Sequence, residues 1–138
     1  MSYLVDTNIV SELRKGPRAN AGVIGWFAEV DDSDLYLSVL TVGELRRGVI
    51  SIERRDAETA RVLNSWLRGL VDGFSERLLP VDKAIAEEWG RMNAAQSLPV
   101  IDTLLAATAK VHGLTLVTRN TKDVARTGIH CVNPFRDR

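Results

Sequence analysis

The chain has 138 residues, 45% apolar and 26% charged, which suits one folded core and excludes a disordered chain. Its 18 basic and 18 acidic side chains cancel, so bulk attraction to a polyanion is excluded, and a nucleic acid must be held by a local patch or through a metal. Cys131, the only cysteine, excludes an internal disulfide and points to a reducing, cytoplasmic setting, and the start of the chain lacks the pattern of a signal peptide or membrane anchor.

Tyr3-Leu4-Val5 reads as a short buried strand, ended by Asp6-Thr7-Asn8. Ile9, Val10 and Leu13 mark a short helix that stops at Gly16-Pro17. Asn20 caps a second helix, whose Val23, Trp26, Phe27 and Val30 follow a helical stripe. Leu35 to Val39 is the next strand, followed by a helix with Val42, Leu45, Val49 and Ile52 on one side. Asp56 opens a long amphipathic helix through Phe74. Leu78-Leu79-Pro80-Val81 is a short strand or extended link, and Asp82 caps a helix carrying Ile85, Trp89 and Met92. Pro99 begins a nearly all-apolar helix that closes at His112-Gly113. Leu114 to Thr118 is the clearest strand, rich in β-branched residues. A helical turn then holds Asp123 and Val124, and Ile129 to Val132 is the last strand.

Strands alternating with helices predict an α/β fold with a parallel sheet covered on both faces. No repeat, low-complexity segment or linker divides residues 1–138, which read as a single domain. In such sheets ligands bind beyond the carboxyl ends of the strands. Four acids fall there: Asp6 after the first strand, Glu44 about a turn into the helix after the second, Asp102 near the start of the apolar helix, and Asp123 after the fourth strand.

Each acid alone has a structural explanation. Asp6 can cap a helix, Asp102 suits a helix N-terminus, Asp123 can stabilise a turn, and Glu44 can pair with Arg47. The set is more specific. Asp102 sits in a helix too apolar to be a solvated face, and neither Asp6 nor Asp102 has a lysine or arginine within three residues. Carboxylates beside buried elements need a partner or a cation. With no histidine or cysteine set to compete, Mg²⁺ or Mn²⁺ is the matching ion.

Four segments resemble, in order, the motifs of the PIN-domain nucleases: Leu4-Val5-Asp6-Thr7-Asn8, Ser38 to Leu45, Leu98 to Ala109, and Leu116 to Asp123. The likeness spans nearly the whole chain and is greatest to the toxin ribonucleases of VapBC-type toxin–antitoxin pairs, including their FitB-like branch. It implies a PIN-like α/β/α sandwich and Mg²⁺- or Mn²⁺-dependent endonucleolytic cleavage of RNA. It also implies an acidic pocket of Asp6, Glu44, Asp102 and Asp123, with Asp6 and Asp102 as metal ligands. The partners it implies are RNA, a VapB-type antitoxin and a second copy of the chain, as a homodimer that becomes a heterotetramer or larger with the antitoxin. Two departures stand out. Many relatives carry Asp where this chain has Asn120, which leaves the fourth acid at Asp123 alone and bears on a second metal site. Val124 replaces a frequent aromatic.

Phosphodiester hydrolysis needs a nucleophile made from water and relief of charge on the pentavalent phosphate, and a bound cation serves both. Glu44 or Asp123 can take the water's proton. Thr7 or Thr118 can orient water or phosphate, or serve as cap and strand residues. Arg119 can meet a phosphate or be an exposed loop charge. The basic residues Arg14, Lys15, Arg18, Arg46 and Arg47 can border the pocket or form a solvated face, and the three tryptophans fit core stripes. Two scattered histidines, His112 and His130, do not suit a histidine-pair ribonuclease. Broad apolar stripes on the first two helices and the long helix suit either a core or a groove for a partner helix. Two alternatives remain at this point: a catalytically silent PIN fold that binds RNA or a partner, and a receiver-like signalling domain, which would need adjacent acids after the first strand.

Overall fold

A computed structural model describes residues 1–136. Five strands, β1 (Tyr3–Val5), β2 (Leu35–Ser38), β3 (Leu78–Leu79), β4 (Thr115–Val117) and β5 (Cys131–Val132), form one sheet in the order β3-β2-β1-β4-β5. Every pairing is parallel, with Tyr3 opposite both Leu35 and Thr115. The helices are α1 (Thr7–Leu13), α2 (Ala21–Glu29), α3 (Val39–Glu53), α4 (Ala57–Phe74), α5 (Lys83–Asn93), α6 (Val100–His112) and α7 (Thr121–Ala125). Among the described residues, no helix is long and apolar enough to cross a membrane.

The two-residue period of the strands sorts side chains onto two faces. Val5, Leu35, Leu37 and Val117 pack with Ile9, Val10 and Val23, and Leu45, Trp66 and Leu70 close that layer. Leu4, Leu79 and Leu116 face the other way, onto Leu105 and Ala109 of α6 and Val124 of α7. These two layers make the α/β/α sandwich. Leu105, Ala106, Ala107 and Ala109 are fully buried, and small residues there let α6 lie close between the sheet and α5. Trp89 of α5 donates its indole N–H to the Thr103 hydroxyl at 3.0 Å, which is packing and not base recognition.

Strand ends fall short of the sequence reading at Ser38, Leu79, Thr115, Val117 and Cys131, at two of them because a helix cap competes. Ser38 accepts from the Leu40 amide at 3.0 Å, so the β-branched Val39 begins α3 and does not end β2. Gly113 takes a left-handed φ of 65°, and the Leu114 amide returns to the Ala109 carbonyl at 2.8 Å, so Leu114 belongs to the helix stop. β3 ends before Pro80, which has no N–H to give the ladder. Asn20, Asp56 and Asp82 cap their helices as the sequence indicates.

The C-terminal segment is bound to the start of α2. Asn20 donates to the Arg136 carbonyl at 2.8 Å and accepts from the Arg136 amide at 2.9 Å. A Cβ at Gly22 would stand 2.2 Å from the Pro134 carbonyl oxygen, so only glycine permits this approach.

The chain crosses from β1 to β2 on one side and reaches β4 on the other. This strand order reverses between β1 and β4, and the crevice beyond their carboxyl ends is where such sheets place a ligand. A receiver-like fold has the order 2-1-3-4-5, which this sheet does not.

Candidate active site

Asp6 follows directly from β1. Its amide continues the ladder to the Val117 carbonyl at 2.9 Å, so its position is fixed by the sheet. One carboxylate oxygen accepts from the Thr7 amide at 2.6 Å, capping α1. The other accepts from the Thr118 hydroxyl at 2.7 Å, which ties the end of β1 to the end of β4. Asp6 therefore caps α1 and is also buried at the switch point, with 5% of its surface exposed.

Glu44 does not pair with Arg47. Its Oε1 accepts from the Thr7 hydroxyl at 2.5 Å, and that hydroxyl also lies 3.2 Å from Thr41 Oγ1. Asp102 is the third residue of α6, where the helix dipole favours a carboxylate. The Asn120 amide nitrogen bridges Asp102 Oδ2 at 3.1 Å and Asp123 Oδ2 at 2.9 Å. The Asn120 backbone N–H donates to Thr118 Oγ1 at 3.0 Å, so one loop orders three of the acids. Thr7 and Thr118 thus act as hydrogen-bonding supports of the acids. The Arg119 guanidinium lies 4.5 Å from the centre of the Phe135 ring.

Two residues were missed from sequence. Asn8 reaches Asp6 and Thr118 with its amide nitrogen, both at 3.4 Å, and accepts from the Arg119 amide at 3.2 Å. Its place two residues past the strand-ending acid was the available signal. Thr41, fully buried beside Thr7, lies three residues before Glu44, on the same side of α3.

The electrostatics follow from the packing. Burial pushes the Asp6 carboxyl above its ordinary value; the Thr118 and Thr7 bonds oppose this, and the charges of Asp102 and Glu44 add to it. Partial burial likewise raises Asp102, with the charges of Asp123 and Glu44 adding and the Asn120 bond opposing. Asp102 thus links the Asp6–Glu44 side of the edge to Asp123. The acids do not form a closed cage: among the described residues, no three Asp, Glu, His or Cys side chains converge closely enough to hold an ion together. The donors are nevertheless all oxygen, and Mg²⁺ binds through one or two carboxylates and keeps several waters. An open pair of carboxylates fits that requirement.

The PIN domain family matches residues 3–129. The chain belongs to this family. It is similar to Toxin FitB of Neisseria gonorrhoeae, 32% identical over 97% of this chain and 99% of that protein. It is also similar to the VapC ribonuclease Y4jK of Sinorhizobium fredii, 32% identical over 96% of each chain. Among solved structures, FitAcB from Neisseria gonorrhoeae overlays with a TM-score of 0.88 at 32% identity, covering 96% of this chain and 97% of that one. A toxin–antitoxin complex from Klebsiella pneumoniae overlays with a TM-score of 0.74 at 26% identity, over 99% of this chain and 100% of that one. Within this PIN domain, Asn120 is more than a missing acid, because its amide supplies the donor that holds Asp102 beside Asp123. Val124 is buried against the face that carries Leu105 and Leu116, which makes its departure a packing one.

Proposed function

We propose that this PIN domain is the toxin of a toxin–antitoxin pair and acts as a metal-dependent endoribonuclease at the edge formed by Asp6, Glu44, Asp102 and Asp123. The observation that supports this reading is one chain of hydrogen bonds that runs from Glu44 through Thr7 to Asp6, and through Thr118 and Asn120 to Asp102 and Asp123, beyond the carboxyl ends of β1 and β4. The ribonuclease and toxin names of the relatives support the substrate class and the biological role.

Asp6 and Asp102 would hold the ion, Mg²⁺ or Mn²⁺. When bound, it supplies positive charge against the pentavalent phosphate and makes water a stronger acid. The chain's own residues do the rest. Thr118 and the Thr7 amide hold both oxygens of Asp6 in a fixed direction. Asn120 keeps Asp102 and Asp123 together without adding a charge. Water attacks phosphorus, its proton passes to Glu44 or Asp123, and the P–O bond to the departing ribose oxygen breaks, with that oxygen taking a proton from solvent water at the open edge. Glu44 keeps Oε2, and Asp123 keeps Oδ1, outside the Thr7 and Asn120 bonds, so either carboxylate has an oxygen to receive a proton.

An antitoxin partner, a homodimer and a cytoplasmic setting complete the reading. They rest on the resemblance to toxin–antitoxin assemblies and on the lone, half-buried Cys131. The purified chain, freed of any partner, is expected to cut RNA in Mg²⁺ or Mn²⁺ and to stop in excess EDTA. Cleavage undiminished by chelator would remove the metal mechanism, and RNA binding without cleavage in either ion would favour the silent fold.

A further inference from the structure

Beside Glu44 a cleft of about 140 Å³ opens between α1, α3 and α4, lined by Thr7, Ser11, Arg14, Glu44, Gly48 and Trp66 among others. We infer that it is a subsite for one nucleotide of a single RNA strand flanking the scissile phosphate, with Arg14, held over the half-buried Trp66 ring, meeting a phosphate and the exposed part of Trp66 forming the wall beside the base. The inference rests on the endoribonuclease reading above and adds a place for the strand.

Three features carry it. First, the cleft is continuous with the acidic edge, since Thr7 and Glu44 belong to both and bond to one another at 2.5 Å. A strand whose phosphate reaches the acids must send a neighbouring nucleotide somewhere, and this opening adjoins them. Second, the exposed Arg14 guanidinium lies 6.0 Å from the centre of the Trp66 ring and has no carboxylate partner among the described residues. Of its neighbours, Lys15 pairs with Glu12 at 2.9 Å, while Arg46 is held in place by the neutral Asn64 at 2.6 Å and keeps its charge. In a chain of zero net charge, an unneutralised cation beside the acids gives the local patch that a polyanion needs. Third, a cation next to an aromatic face is the pairing that tracks single strands, the charge following the backbone and the ring taking the base. Leu45, Val49, Ile52 and Leu63 form its apolar floor.

Gly48 provides the test. It lies within α3 and lines the cleft, and a Cβ there would meet nothing within 4 Å, so Gly48→Leu enters the cleft from open space, and a thermal melt checks that its fold is kept. Steady-state cleavage of a randomised 12-nucleotide RNA in Mg²⁺ is compared for the parent, Gly48→Leu and Arg14→Ala, with Mn²⁺ affinity measured alongside. Each variant is expected to raise KM by about tenfold while kcat stays within about twofold. Arg14→Ala should also flatten the slope of log affinity against log salt by about 0.7, the loss of one single-strand phosphate contact. Arg14→Lys should restore that slope. Mn²⁺ affinity should match the parent in both variants, which keeps this inference separate from the metal site. Unchanged KM and salt slope in both variants, with the parent active, would overturn the subsite and leave the ribonuclease reading standing. A parent that neither binds nor cuts RNA overturns both.

Discussion

Asp6→Ala and Asp102→Ala are each expected to lower RNA cleavage by roughly a thousandfold or more, because losing an ion ligand removes several kcal/mol of stabilisation from the phosphate transition state. Asp31→Ala and Asp72→Ala should keep parent activity. Both are exposed, Asp31 just before β2 and Asp72 near the end of α4, which places them toward the amino ends of the strands and away from the β1/β4 crevice. Asp6 also caps α1, and cap loss costs about 1 kcal/mol, so folding must be checked by circular dichroism and thermal melts. Equal losses at all four positions in folded protein would contradict the assigned site.

Asp6→Asn is expected to separate stability from activity. The substitution keeps a side-chain oxygen for the Thr7 amide, turns the Thr118 hydroxyl from donor to acceptor, and removes a buried charge that burial and the neighbouring Asp102 and Glu44 all disfavour. In EDTA the variant should be more stable than the parent by about 1 kcal/mol while losing cleavage. The pH dependence follows from the sign of the shift. Asp6 and Asp102 titrate above their ordinary value of 3.8, so the folded chain binds more protons than the unfolded one through the interval above it. Metal-free parent should therefore lose stability as pH rises from about 3.8 through the raised native values, and then level off. Asp56 and Glu88, whose carboxyls are lowered by Thr59 and by Lys110 and Arg91, act in the opposite sense. Comparing parent with Asp6→Asn cancels them, and the advantage of the variant should grow with pH over that interval. Mg²⁺ should raise the melting temperature of the parent and much less that of the variant. A variant that melts well below the parent in EDTA would make Asp6 a structural cap alone.

The sequence carries the alternation of strands and helices, and so the α/β/α arrangement, because apolar runs of three to five residues separated by capped helices have few other ways to bury themselves. The named caps at Asn20, Asp56 and Asp82 are legible because one side chain satisfies one helix end locally. Strand ends are less legible. Val39 looks like a strand residue until Ser38 turns the chain, and Leu114 looks like one until Gly113 makes the helix stop.

At the acidic edge, the positions of the acids follow from topology, whereas their partners do not. Nothing near Glu44 in sequence points to Thr7, which is 37 residues away, and nothing marks Thr118 as a donor to Asp6 across 112 residues. These contacts exist because β1, β2 and β4 are neighbours in the sheet, and strand order is not written in any local pattern. Asn120 shows the same limit. As a letter it is a lost acid, and only the placement of Asp102 and Asp123 on either side makes it a bridge.

The central claim is that Asp6 and Asp102 together hold a divalent ion, and direct titration of Mn²⁺ into the purified, partner-free chain tests it without reference to any substrate. Free Mn²⁺, followed by electron paramagnetic resonance, should disappear saturably in the parent and in Asp72→Asn, and should remain free in Asp6→Asn and Asp102→Asn. Mn²⁺ taken up equally by all four proteins, or left free by the folded parent, would contradict the account.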